Sequence, residues 1–172
     1  LSGDGDHTND TMVIVRNVAP TFTLPQYVPF TGFNGSNIPT VYPGWYEAQG
    51  TVPTGTTSLW LNQTGVGTST NVTARVNLYT TNRKEWIVGP KIVPTASTVL
   101  KFDAAVTDWT STNAPDVMGS DDKVMVMVST DCGVSFTPIY TISATNNLPP
   151  TLTPFIVPLT SYSNSPIIVA FY

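Results

Sequence analysis

Hydrophobic and polar residues alternate with a period of two along much of the chain after Ser58, the pattern of strands with one face buried. Val99–Thr107 is the clearest case, with Leu100, Phe102, Ala104 and Val106 on one face and Lys101, Asp103 and Ala105 on the other. In Lys123–Ser129 both alternating sets are apolar, Val124, Val126 and Val128 against Met125 and Met127. A strand of that kind needs cover on both faces, so it is expected inside a layered structure or beneath an interface. Further strands are expected at Ser58–Asn62, Thr73–Tyr79, Glu85–Val93, Ser135–Ser143, Thr151–Leu159 and Pro166–Tyr172. Turn-forming clusters separate them, among them Pro94–Ser97, Thr110–Asp121, Asp131-Cys132-Gly133 and Asn146–Pro150. Tyr27 to Thr57, rich in Gly, Pro and Asn, reads as a long irregular segment. Many short strands so punctuated predict an all-β sandwich or barrel.

The first residues differ from this pattern. Thr11 to Val18 alternate into a short strand that breaks at Ala19-Pro20. Residues 1–25 are therefore expected to be the end of a preceding module plus a linker, and residues 26–172 the main domain.

Composition strengthens the β reading. Val, Ile and Thr supply 57 of the 172 residues, whereas Leu and Ala supply 18. β-Branched side chains fit a pleated surface and lose rotamer freedom in a helix, so a helical bundle is excluded. Charge is sparse, with 7 cations against 11 acids and a net −4. Nucleic acid gripped through its phosphates is excluded, because the chain has no basic footprint. Disorder does not suit a chain that is 41% hydrophobic and 10% aromatic. No apolar run approaches the ~18 residues that a membrane-spanning helix needs. A neutral surface rich in Ser, Thr and Asn points to a secreted or cell-surface β-protein, and a single cysteine, which allows no internal disulfide, leaves the fold to be held by its core alone.

Candidate chemistry is thin, and no enzyme is expected. The one histidine, His7, which a Ser or Cys nucleophile would need as its base, lies in the N-terminal polar loop outside the main domain. Cys132 sits in a turn without a nearby base, and a zinc site needs more His and Cys than the chain has. Two carboxylates at a cleft would suffice for a glycosidase, but spacing singles out no pair. The aspartates do cluster, six of nine falling between Asp103 and Asp131. Calcium takes six to eight oxygen ligands, and a strand end at Asp103 facing a loop that reaches Asp121 and Asp122 could assemble such a site. The alternative is that these acids solvate a long loop and cap strand ends. Trp45, Trp60 and Trp86 lie in apolar surroundings and are expected in the core. Trp109, beside Asp108 at the start of a polar loop, is the one expected at the surface, where it could stack on a sugar ring.

The order of motifs resembles a known family. Phe33-Asn-Gly-Ser-Asn-Ile-Pro39 and Pro43-Gly-Trp45, then Glu85–Ile92, Leu100–Asp103, Asp122–Asp131 and Ile167–Phe171, are similar to the cleaved-adhesin or "choice-of-anchor" domains. These are MAM-like jelly rolls of large bacterial surface proteins. The resemblance spans residues 27–172 and implies an antiparallel jelly-roll β-sandwich, with a further strand expected beyond Tyr172. The N-terminal strand likewise resembles the end of an immunoglobulin-like repeat. Cys132 departs from the family, which usually has a glycine there. Structural calcium in several relatives puts Asp103, Asp121 and Asp122 forward as metal ligands. The expected role is a non-catalytic adhesion module of a larger secreted protein, meeting a glycan or an extracellular protein through calcium-stiffened loops and Trp109. A structural spacer, or an accessory substrate-binding domain of a secreted hydrolase, are the alternatives.

Overall fold

The computed structural model describes residues 20–79 and 83–172. The strand expected at Thr11–Val18, the polar loop before it and His7 lie outside the described residues. The elements in chain order are β1 (Thr21–Phe22), a single helical turn α1 (Ile38–Val41), β2 (Tyr46–Gln49), β3 (Leu61–Thr64), β4 (Val72–Arg75), β5 (Glu85–Ile92), β6 (Val99–Ala104), β7 (Lys123–Ser129), β8 (Thr137–Ser143), β9 (Thr153–Pro158) and β10 (Ile167–Phe171). The described residues are mostly β, as the alternation predicts.

One sheet dominates, in the order β1-β5-β10-β7-β8, with β2 also on β5. β1 and β2 divide one edge of β5 between them: β1 pairs parallel with Lys91 and Ile92, and β2 pairs antiparallel with Glu85 to Val88. β3–β4 and β6–β9 form separate two-stranded antiparallel sheets. β5 and β10 carry almost continuous apolar sequence because they lie inside the large sheet, where both faces are covered.

The smaller sheets lie against one face of the large one. Leu100 and Leu159 pack with Ile92, Val128 and Ile167. Phe102 meets Phe171 edge-on with ring centroids 5.1 Å apart, and Tyr140 meets Phe155 at 5.7 Å. At the other end of this face, Ile87 is buried with Phe33, Ile38 and Trp60. The opposite face is sealed by side chains of the sheet itself, with Trp86 under Phe136 and Tyr172. The result is a sandwich-like layering. Val126, Met127 and Val128 are all buried, as the two-sided apolar pattern of β7 requires, and β6 alternates exposed and part-buried along its length.

Three differences from the sequence reading have physical causes. Tyr27–Thr57 is not irregular throughout, since it contains α1 and β2. β2 carries Glu and Gln rather than β-branched residues, and pairing with β5 overrides its weak propensity. The strand expected at Ser58–Asn62 begins only at Leu61. The amides of Leu59 and Trp60 bond to the side chains of Glu85 and Ser58 instead of to a ladder. Finally, the stretch up to Pro25 read as linker contributes β1 to the large sheet. Gly44, at φ +86°, permits this approach: a Cβ there would stand 2.7 Å from the ring of Phe22.

Candidate functional site

Two places combine polar chemistry with shape. The first is the loop between β6 and β7. Its beginning closes on itself: Asp108 N–H donates to Ala114 O, Ser111 N–H to Asp108 O, and the Ser111 hydroxyl accepts from the amides of Asn113 and Ala114. Thr110 N–H donates to the Asp108 carboxylate at 2.7 Å, and the bonds from Thr110 hold that carboxyl below its ordinary range. Gly67 N–H donates to Thr112 O at 3.0 Å, tying the loop to the chain between β3 and β4.

On this braced loop stands Trp109, 40% exposed. The Arg75 guanidinium of β4 lies 4.0 Å from its ring centroid, and Arg75 Nη1 donates to the Trp109 carbonyl at 3.3 Å. The cation–π contact and the hydrogen bond act from one side chain and fix the indole's orientation. Trp109 is thus at the surface, while Trp60 and Trp86 are buried and Trp45 packs beside Ile87 and Phe33, as expected of core anchors.

The second place is centred on the chain's only two glutamates, Glu47 and Glu85, 1% and 8% exposed. Pairing of Glu47 with Ile87 and of Gln49 with Glu85 puts all four residues on one face of the β2–β5 ladder. Glu47 accepts from the Ser58 hydroxyl at 2.7 Å and from Ile38 N–H at 3.3 Å. Glu85 accepts from Leu59 N–H at 2.8 Å and from the Gln49 amide at 3.2 Å. These carboxylates therefore knit β2, β5, α1 and the approach to β3. Beside Glu85 opens a cleft of about 160 Å³, walled by Trp60 and Tyr172, with Leu78 and Val124 among its apolar residues. The buried Trp60 Nε1 has no hydrogen-bond partner among the described residues. Spacing did not reveal this pair; two glutamates flanked by Tyr46, Ala48 and Trp86 in otherwise apolar strands were the available signal.

The acids proposed as calcium ligands do not all meet. Asp121 and Asp122 share the turn before β7 and line the cleft, whereas Asp103 is exposed on β6 opposite Pro154 and does not line it. Asp122 already accepts Gly119 N–H at 2.8 Å. Asp131 accepts from the hydroxyl and amide of Ser135 and from the Ser129 hydroxyl, which together hold its carboxyl down at about 2. Among the described residues, no group of three or more His, Cys, Asp or Glu could hold a metal ion. Cys132 is exposed and free, in a left-handed conformation (φ 63°) beside Gly133, the type of position that glycine occupies without strain.

No protein-family model, curated protein or solved structure matches this chain.

Proposed function

We propose that the chain is a non-catalytic binding module of a larger secreted or cell-surface protein, built as a jelly-roll sandwich of the cleaved-adhesin kind. It recognises a glycan or an extracellular protein through its rim loops. The observation that carries this reading is Trp109, held half exposed on a loop whose amides are tied down before any ligand arrives. An exposed aromatic normally costs conformational entropy when it is ordered on binding. Here Arg75 has already ordered it, so the indole is a preformed platform for a sugar ring or an apolar side chain.

The buried glutamates support the non-catalytic part of the proposal. Each is occupied by donors from neighbouring segments, the role of a structural staple. The test is an array of glycans and extracellular-matrix proteins probed with the chain and with Trp109→Ala. Capture by the parent chain, reduced at least tenfold in the variant, supports the proposal. Equal capture by both removes Trp109 from it, and cleavage of an arrayed ligand removes the non-catalytic reading.

Calcium is a separable component, because Asp122 already bonds to an amide of its own turn and Asp103 does not share the cleft with Asp121 and Asp122. Ion binding to the folded form alone raises stability by mass action. A melting temperature lowered by excess chelator keeps calcium in the account, and an unchanged melt removes it.

A further inference from the structure

We infer that the cleft beside Glu85 is a binding site for a primary alkylammonium group, the chemistry of a lysine side chain or a free alkylamine. Trp109 is not among the residues that line it, so the site is separate from the platform above. Its volume, about 160 Å³, matches a short alkyl chain with a small head; an engineered apolar cavity of ~150 Å³ takes up benzene. Val76, Leu78 and Val124 supply apolar wall against which methylenes can pack. Trp60 and Tyr172 add aromatic surface to the same wall.

The Glu85 carboxylate makes the site selective for a cation. It is 8% exposed, and its bonds come from Leu59 N–H and the Gln49 amide, both neutral donors. A carboxylate offers about four acceptor positions, so capacity for another donor remains. The lining also holds Asp121 and Asp122 against Arg83, Lys84 and Lys123, and by count these five charges and Glu85 cancel. Count does not decide the local field, because solvated charges are screened and buried ones are not. Lys84 and Lys123 are exposed, Arg83 already donates to Asn77 O, and Lys84 to the Thr51 hydroxyl. The buried charge is the negative one, and the chain's net −4 draws cations at longer range.

The test is a nuclear magnetic resonance titration of the full chain with Nα-acetyl-lysine methylamide, read at the Trp60 indole and Leu78 methyls. Its Nε-acetylated analogue, which has lost the charge, and butylamine serve as comparisons. The expected result is saturable binding of the lysine derivative, at least tenfold weaker for the acetylated analogue and for Glu85→Gln, and unchanged by Trp109→Ala. Tighter binding of the lysine derivative than of butylamine assigns the site to a protein lysine, and the reverse assigns it to free amines. Equal binding of the acetylated analogue, or no saturation below about 10 mM, overturns the site and leaves the Trp109 reading standing. The analogue comparison keeps the question answerable if Glu85→Gln fails to fold.

Discussion

Asp131 shows how one exposed acid can fix a turn. Three donors from Ser129 and Ser135 favour its charged form and hold its pKa at about 2. A carboxyl depressed on folding contributes stability above its unfolded value, ~3.9, and loses it as the pH falls through its folded value. The loop between β7 and β8 is therefore expected to loosen between about pH 4 and pH 2. Carbon chemical shifts of the Asp131 carboxyl should show a midpoint near 2, with Ser135 amide protection lost in parallel; a midpoint near 4 would mean that the serine bonds do not form in solution. Single residues were only partly legible in the sequence. The surface position of Trp109 followed from its polar neighbours, but Arg75, thirty-four positions away along the chain, gave no sign that it would stack on the ring. The loop aspartates were visible as a cluster, while their donors include the backbone amides of Thr110, Val117, Gly119 and Ser135, groups that every residue but proline carries and no composition reveals.

At the scale of elements, Ser58 joins two bonds through one hydroxyl, donating to Glu47 and accepting from Trp60 N–H. Removing it leaves a buried carboxylate oxygen and an amide without a partner, a cost of about 1–3 kcal/mol. Ser58→Ala is expected to lower the melting temperature by roughly 2–12 °C, taking about 2–4 °C per kcal/mol at this chain length. A melt within a degree of the parent would show that the staple contributes nothing. The strands from β5 onwards were legible because they alternate or are continuously apolar, signals local to the chain. β1 and β2 were not, because Thr21-Phe22 is too short to show a period and Tyr46–Gln49 has polar residues on a buried face. What makes β2 a strand is its partner β5, nearly forty residues later, and the donors that satisfy its glutamate.

At the scale of the molecule, stability and recognition fall to different parts. Aliphatic and aromatic side chains close both faces of the large sheet, and the two glutamates pin its edge strand. Chemistry open to solvent is left to the loop carrying Trp109 and to the cleft beside Glu85. The all-β class was legible from composition and period, whereas the cleft was not, since it is assembled from strand ends at Glu85, Lys123 and Tyr172 that only the sheet order brings together. The most direct test of this division is to map amide and indole shifts of the full chain on adding the ligand that an array identifies. Changes confined to residues 107–115, the Trp109 indole and Arg75, with the amides of Ile87 to Ile92, Val126 to Ser129 and β10 unmoved, are the predicted result. A Trp109 indole that does not move, or changes centred on the inner strands, would contradict it.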